Sequence, residues 1–468
     1  MVSPADVKRP KVLIVGAGVG GITLAILLEK AGVPYDVYER AAELKPLGAA
    51  LYLGPNVAPL FQQIGIYDEF VAHSKPCESI NVFTEHREPS FNIDFGPVKE
   101  MGGADGYIIT RPTLYEILLK RVPPERVHNS KRVLSLMQNE YGVMVRFSDG
   151  TTADGDILVG ADGAYSAVRQ SLYKQLREAG KLPLNDGKSL PYSCVCLAAQ
   201  TAPLDIERFP ELKDEKCHFN NVLAQDRPYS WMTWTTKNNT LCYTVVLYLD
   251  KESSKENDSF RNSEWGAEAA EAMCSDVRDF PIPGGNSTLT LGDLIDNTPK
   301  SQISKVMLEE KVFDTWHAAR TVLIGDACHK VHPAGGQGAL LAFHDAIALA
   351  NWISTLSSAS AEDIDMVFKE YKTERIRYAK EAQVQGSMMA SVSARNFKAK
   401  VMRFVIKNMP ARLNKQVQMR SAANRPQVSF LPLVQDSGSV KPAAQPSLQK
   451  TRKERLDADL VPETPTVV

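Results

Sequence analysis

The run Gly16-Ala-Gly18-Val-Gly20-Gly21 limits what this chain can fold into more than any other feature of its sequence. It follows Val12-Leu-Ile-Val15, a short continuous apolar run of the kind that forms a parallel strand buried on both faces. Ile22 to Ala31 then reads as a helix and Tyr35 to Tyr38 as a second strand, which makes a βαβ start. In that setting Gly16, Gly18 and Gly21 fit G-x-G-x-x-G. They permit a tight turn and let the backbone approach a pyrophosphate held at the helix N-terminus. Glu39 closes the second strand 23 residues after Gly16, where an acid bonds an adenosine ribose, and Arg40 stands beside it. The pattern predicts a dinucleotide site without choosing between NAD and FAD.

A length of 468 residues gives room for two packed domains and a tail. At 44% hydrophobic and 23% charged residues the chain reads as globular, and a net charge of -1 gives it no footprint for nucleic acid. Seven cysteines, at 77, 194, 196, 217, 242, 274 and 328, are odd in number and irregularly spaced. They predict reduced thiols in a cytoplasmic protein. Cys194 and Cys196 alternate in a strand-like run and share a face, but a metal there would need two more ligands, so no metal is expected. Met1 to Lys11 has bases and no apolar core, unlike a signal peptide. Ala346 to Ala361, the longest uncharged apolar stretch, is shorter than the roughly 20 residues of a membrane span.

Further along, Gly142 to Phe147 alternates, Asp149-Gly150 turns the chain, and Asp156 to Val159 runs into a glycine-bearing loop. Thr321 to Ile324 is another apolar strand, followed at once by Gly-Asp. Gly338 to Thr355 and Ala361 to Met389 read as helices. Residues 185 to 320 are rich in β-formers with Pro and Gly turns, and read as a mostly antiparallel sheet. The expected class is α/β. A Rossmann-like dinucleotide-binding domain takes residues 10–76, 105–184 and 320–392, interleaved with a substrate-binding β-sheet domain of residues 77–104 and 185–319. A basic helical segment, 393–434, and a disordered tail, 435–468, complete it; the tail is rich in Pro, Ser, Gln and Lys.

Two later segments make the reading specific. Gly160-Ala-Asp162-Gly163-Ala-Tyr-Ser166-Ala-Val-Arg169 resembles the Asp-Gly motif of the FAD-dependent aromatic hydroxylases, the group A single-component flavoprotein monooxygenases that include fungal enzymes. Gly325-Asp326-Ala-Cys-His329-Lys-Val-His-Pro333-Ala-Gly-Gly336-Gln337-Gly338 resembles their Gly-Asp motif and the glycine-rich turn after it. With the first fingerprint these motifs come in family order across residues 16 to 346. The resemblance implies FAD as cofactor and carries roles onto matching positions. Asp326, following a strand, accepts a bond from a ribityl hydroxyl. Gly336, Gly338 and Ala339 turn backbone amides toward the flavin pyrimidine, and Pro333 lies beside the reacting face. Gly48 to Ala50 is the loop near the ring, and Arg111 contacts the flavin. Asp162, Gly163 and Arg169 belong to the segment where NADPH or NADH docks transiently. His329 and His332 shape the turn. In one departure, Leu340 stands where many relatives carry Asn.

No second G-x-G-x-x-G follows a strand, so no dedicated NAD(P)H domain is expected. The resemblance implies that NAD(P)H reduces the flavin, that O2 adds to give a C4a-hydroperoxide, and that one oxygen passes to a small aromatic or lipophilic substrate. The outcome is hydroxylation or epoxidation. Tyr192, His218, Tyr229, Trp231 and Trp234 are candidates for the substrate pocket, and each also fits a sheet-face or core position. Two other readings stay open: a flavin-dependent reductase or dehydrogenase acting on an isoprenoid, and a catalytically lapsed, membrane-associated flavin-binding protein.

Between Glu381 and Asp436 there is no acid but nine bases: Arg395, Lys398, Lys400, Arg403, Lys407, Arg412, Lys415, Arg420 and Arg425. Phe397, Val401, Phe404, Val405 and Met409 recur among them at helical spacing. This predicts a basic amphipathic helix that either meets an anionic membrane through residues 393–425 or packs its apolar stripe on the core.

Overall fold

A computed structural model of the chain describes residues 9–44, 49–249, 267–284, 288–392, 401, 404–405, 408 and 410–459. The class is α/β, and two sheets dominate. The first has six strands in the order His317–Ala318, Thr321–Leu323, Ile157–Gly160, Val12–Val15, Tyr35–Tyr38 and Val127–His128. All neighbours run parallel except the edge strand His317–Ala318. Val12–Val15 and Ile157–Gly160 are buried along their whole length, which is why they read as unbroken apolar runs rather than alternating ones. The helices Val19–Ala31 and Gly338–Ile353 pack on each other over this sheet. A three-stranded antiparallel sheet, Val133–Gln138, Val143–Phe147 and Thr152–Gly155, adds to the same core.

Register explains how distant motifs meet. Val15 lies opposite Gly160, and Gly160 opposite Leu323. Gly16, Asp162 and Asp326 therefore all leave the carboxyl ends of three adjacent parallel strands, the edge where open α/β sheets bind ligands.

The second sheet has seven strands, in the order Ile303–Glu309, Tyr192–Gln200, Leu241–Tyr248, Tyr229–Thr235, Phe219–Leu223, Ser79–Thr84 and Pro89–Asp94. It is antiparallel throughout, except that Phe219–Leu223 runs parallel to Ser79–Thr84. Side chains alternate between its faces. On the outer face Val195, Leu197, Trp231, Tyr243 and Val245 make a second core with the helices Ala267–Val277 and Leu291–Asp296. Burying an aliphatic side chain there is worth about 1.5–3 kcal/mol. The inner face turns toward the first sheet.

The C-terminal region corrects one expectation. Disorder from Gln435 onward does not describe residues 435–459, which form an ordered strap ending in the helix Pro446–Asp459. Its polar side chains stand in for missing secondary structure. Gln63 exchanges two bonds with the backbone of Val428, at 2.8 and 3.0 Å. Gln445 does the same with Gln427, at 2.8 and 2.9 Å. Buried Ser447 donates its backbone and hydroxyl to Glu374, and buried Arg425 bonds both carboxylate oxygens of Asp436. Composition marks such residues as solvated, yet here they satisfy each other and the backbone. Residues 460–468 lie outside the described residues. So do most of 393–409, including Phe397 and Met409 of the expected basic helix. A helix is described over Ala411–Ala423, which packs on Gly96–Gly102. Among the described residues no helix is long and apolar enough to cross a membrane.

Candidate functional site

At the first strand end, two of the three fingerprint glycines are fixed by the fold itself. Gly16 has φ +105°, and a Cβ there would lie 2.4 Å from the Ala161 carbonyl oxygen. A Cβ on Gly21 would lie 2.0 Å from the Gly16 oxygen, so strand and helix could not approach. Gly18 differs: a Cβ there would meet nothing within 4 Å. Its bareness serves the open space at the helix N-terminus, where a pyrophosphate fits. The Glu39 carboxylate is fixed at the end of its strand by the amides of Ala17 and Ala41, both at 2.9 Å. Arg40 beside it is exposed, and Gly48 lies outside the described residues.

Asp162 caps the helix Ala167–Glu178 with one oxygen, accepting from Ala167 and Val168 at 2.6 and 3.2 Å. Its other oxygen is buried and has no partner within the protein. Burial holds this carboxyl above its ordinary value. Gly163 follows with φ +80° and nothing within 4 Å of a Cβ. Arg169 departs from expectation. Its guanidinium is buried over the Phe313 ring at 4.3 Å, donating to the carbonyls of Ala327 and Ala164 at 2.8 and 2.6 Å. It joins the Asp-Gly segment to the Gly-Asp segment through backbone carbonyls of both.

Asp326 meets its predicted neighbours. Lys330 donates to it at 2.6 Å, and its Oδ1 would stand 4.0 Å from a Cβ on Gly338. Burial opposes its charge, but Lys330, with His329 and Arg111 adding, holds the carboxyl below its ordinary value. Arg111 is exposed at the start of the helix Arg111–Leu119, and its amide donates to Ala49 at 3.1 Å. The segment around Ala50 is thereby tied to Arg111.

Behind Asp326 lies a network that the sequence did not announce. Asp345, on the helix Gly338–Ile353, is fully buried. It accepts from the Gly325 amide at 2.9 Å, from His329 at 2.5 Å and from Arg375 at 2.8 Å. Burial works against that charge, yet His329 and Arg375 hold the carboxyl well below its ordinary value. Arg375 comes from the long helix Ala361–Val392, whose Tyr371 also donates to the Leu323 carbonyl. One carboxylate thus fixes the Gly325-Asp326 turn to two helices. Glu309 was missed as well. It is buried at the end of its strand, accepts from the Tyr165 phenol of the Asp-Gly segment, and is pushed up to about 7. Burial is the main cause; Asp326 adds to it and Lys330 opposes it.

The turn after Asp326 docks on the second sheet. His332 accepts from the Ala334 amide at 3.1 Å, and its other nitrogen lies 3.6 Å from the Cys194 thiol. Burial lowers this imidazole to about 4, so it is neutral near pH 7. Pro333 begins the next turn, and Gly336 has φ +64°. Ala339 lies in the first turn of the following helix, and Leu340 packs partly buried on the first core, which accounts for an apolar residue there. Ala49 shares an apolar cluster with Phe219, Trp234 and Cys242, and Ala50 packs against it. The inner face of the seven-stranded sheet therefore lies over both the Ala49–Ala50 segment and the His332–Gly336 turn. Cys194 and Cys196 share this face, and burial pushes their thiols up to about 11 and about 12.

Of the aromatic candidates, Trp234 alone is shown on the inner face by its contacts, with Phe219 at 5.1 Å. Tyr229 and Trp231 are corrections. Both point outward and pack on Phe280, at 5.1 and 4.9 Å, and the Trp231 indole donates to the Pro281 carbonyl at 2.8 Å. His218 is partly exposed and bonds Asp214 at 2.6 Å. Tyr192 is buried opposite Glu309.

The open cradle at Gly18, the unpartnered oxygen of Asp162 and the Asp326–Gly338 approach fit a flavin dinucleotide laid across the three strand ends. Known proteins agree. The family model for the FAD binding domain matches residues 9–193 and 289–386. The FAD-dependent monooxygenase ausM of Aspergillus calidoustus is 30% identical over 442 residues, covering 92% of this chain and 90% of that protein. The FAD-dependent monooxygenase atmM of Aspergillus flavus is 29% identical over 468 residues, covering 97% and 92%. Klebsiella pneumoniae HpxO, solved with FAD and uric acid, shares the fold with a TM-score of 0.70 at 20% identity, covering 89% of this chain and 97% of that one. The chain is an FAD-dependent oxidoreductase and belongs to the FAD-binding flavoprotein monooxygenase family.

Proposed function

We propose that this chain takes hydride from NADPH or NADH and delivers one oxygen atom of O2 to an uncharged small molecule held beneath the seven-stranded sheet. The observation that carries this reading is the inner sheet face. Its four central strands, Tyr192–Gln200, Leu241–Tyr248, Tyr229–Thr235 and Phe219–Leu223, carry no Asp, Glu, Lys, Arg or His, and the face lies against the glycine turn through Cys194 and His332, with Glu309 only at the end of the edge strand. An uncharged face of that kind would exclude water and keep a substrate close to the cofactor, as oxygen transfer requires.

FAD, when bound, supplies the redox chemistry and the activation of O2. Gly16, Gly18 and Gly21, with Glu39 and Arg40, would hold its adenosine end. Asp162, Gly163 and Asp326, with Arg111, would hold the middle. Gly48, Ala50, Pro333, Gly336, Gly338 and Ala339 would surround the ring. The N-terminus of the helix Gly338–Ile353 and the Arg111 cation favour negative charge gathering there. Arg169 acts indirectly, by holding the two motif segments together.

The test is turnover of the FAD-loaded protein with NADPH or NADH under 18O2, across a panel of lipophilic aromatics and alkenes. One labelled oxygen in a product is expected. Consumption of NAD(P)H without label in any product assigns a reductase or dehydrogenase instead, and consumption no faster than with free FAD removes the catalytic reading.

Peripheral contact with an anionic membrane is part of the same proposal. On the helix Ala411–Ala423, Leu413 and Val417 are exposed one turn apart, beside exposed Arg412, Lys415 and Arg420. Val401, Phe404 and Val405 are exposed too. An apolar pair flanked by bases suits a lipid surface. Replacing Arg412, Lys415 and Arg420 by Glu should abolish co-sedimentation with phosphatidylserine vesicles; unchanged co-sedimentation overturns this contact.

A further inference from the structure

The inner face of the seven-stranded sheet carries two polar atoms that the protein itself does not satisfy. Thr244 Oγ1 and Asn221 Oδ1 are buried and have no hydrogen-bond partner within the protein. Register puts them in one row. Ala198 lies opposite Thr244, Thr244 opposite Met232, and Met232 opposite Asn221. Met232 and Ala198 both pack against the cluster that contains Ala49, Trp234 and Phe219, so this row sits over the Ala49–Ala50 segment. The two polar residues are two strand spacings apart, about 10 Å between backbones.

Elsewhere the same sheet satisfies its polar groups. On the outer face the Tyr243 phenol bonds Thr298 at 3.2 Å, and the Trp231 indole bonds Pro281 at 2.8 Å. On the inner face itself, one row away, Ser230 pairs with the Tyr248 phenol at 3.0 Å. Leaving a buried hydroxyl or amide oxygen unpaired is costly, and a valine or leucine would fill either position without that cost. A sheet that pairs Tyr243, Trp231 and Ser230 and leaves two open acceptors in its central row has kept them for something that arrives from outside.

We propose that Thr244 and Asn221 are the polar anchors of the substrate, which is an uncharged, largely apolar molecule long enough to reach both. This rests on the reading that the substrate lies beneath this sheet. Asn221 Oδ1 only accepts, so the molecule presents it with a hydroxyl or N–H. The Thr244 hydroxyl donates or accepts, so it takes a carbonyl or a second hydroxyl. A charged group would find no counter-charge beside these two residues, since the four strands around them, Tyr192–Gln200, Leu241–Tyr248, Tyr229–Thr235 and Phe219–Leu223, carry no Asp, Glu, Lys, Arg or His. The surrounding Cys196, Ala198, Met232 and Val246 select apolar bulk.

The test compares Thr244→Val and Asn221→Leu with the parent chain, all loaded with FAD. Without added ligand, Thr244→Val should melt no lower than the parent; a fall of more than about 2 °C would show a hydroxyl already used by the fold, and would overturn the proposal. The probes are 4-octylphenol and octylbenzene, titrated while the flavin absorption band is followed. The parent should bind the phenol about 10-fold tighter than the hydrocarbon, and at least one variant should cut that preference below about 3-fold, with octylbenzene affinity unchanged. A preference unchanged in both variants overturns the anchors and leaves the site reading standing. If neither probe disturbs the flavin band, the sheet is not the substrate roof and both readings fall together.

Discussion

The two sheets of this protein make their sites in different ways. The six-stranded sheet works at its edge: three strand ends bring Gly16, Asp162 and Asp326 together, and each is fixed by a requirement local to a few residues. The seven-stranded sheet works through a face, and which residues reach that face depends on the register of every strand. In the first region charge is concentrated and buried in networks. In the second, the four central strands carry no charged side chain, and Glu309 stands only at the end of the edge strand. On the proposed function, the contrast separates a cofactor site, whose chemistry is fixed, from a substrate surface, whose side chains are free to vary with the molecule they receive.

If buried charge holds the first region together, its heaviest dependence is on Asp345. Asp345→Ala would leave buried Arg375 and His329 without the acceptor they share, at about 3–5 kcal/mol. The expected result is a melting temperature lower by roughly 10 °C in differential scanning calorimetry, with Asp345→Asn losing less. A fall under 2 °C for the alanine variant would mean that the network does not brace this edge.

Asp326→Ala probes the same edge at the cofactor rather than in the frame. Removing the carboxylate would delete its proposed hydrogen bond to a ribityl hydroxyl and free Lys330, and is expected to weaken FAD binding about 10- to 100-fold at little cost in stability. Fluorescence titration of the stripped protein with FAD measures this. Affinity equal to that of the parent would remove Asp326 from the cofactor site.

Glu309 sits where the two regions touch, and it makes the comparison dependent on pH. Its carboxyl is raised from 4.5 to about 7, so the folded state favours the neutral form. Its contribution to stability is therefore complete below about pH 4.5 and is lost as the pH rises through about 7. Glu309→Gln keeps an acceptor for Tyr165 without the charge. The variant should melt with the parent at pH 4.5 and above it by about 3–5 °C at pH 8. Identical melting curves across that range would show that solvent or Lys330 neutralises this acid.

What the sequence disclosed follows the same division. Gly16 to Glu39, Asp162 and Asp326 were legible because each motif sits beside its own strand, and the strands are unbroken apolar runs. Asp345 was not. It lies 19 residues beyond Asp326 in a helix that reads as ordinary, and its partner Arg375 lies on another helix, so only packing joins them. Arg169 was legible as a motif residue but not as a buried clamp, because its partners are backbone carbonyls, which leave no mark in sequence. The C-terminal strap misled for a related reason. Composition counts its glutamines and serines as solvated, whereas Gln445 and Ser447 find partners on Gln427 and Glu374.

Trp231 and Trp234 bring the comparison down to a single strand. An odd separation in a period-two element puts them on opposite faces, although both stood as pocket candidates in the sequence. Trp231→Phe loses a hydrogen bond to Pro281 and part of a buried ring, about 1–2 kcal/mol, and should lower the melting temperature by about 3–5 °C while kcat/KM is unaltered. Trp234→Phe should do the reverse, changing kcat/KM by several-fold, about 1 kcal/mol, with melting nearly constant. Measuring both quantities for both variants separates the faces. If the outward Trp231 affects turnover more than Trp234, the two faces have been assigned the wrong way round, and the substrate lies among the helices Ala267–Val277 and Leu291–Asp296 instead.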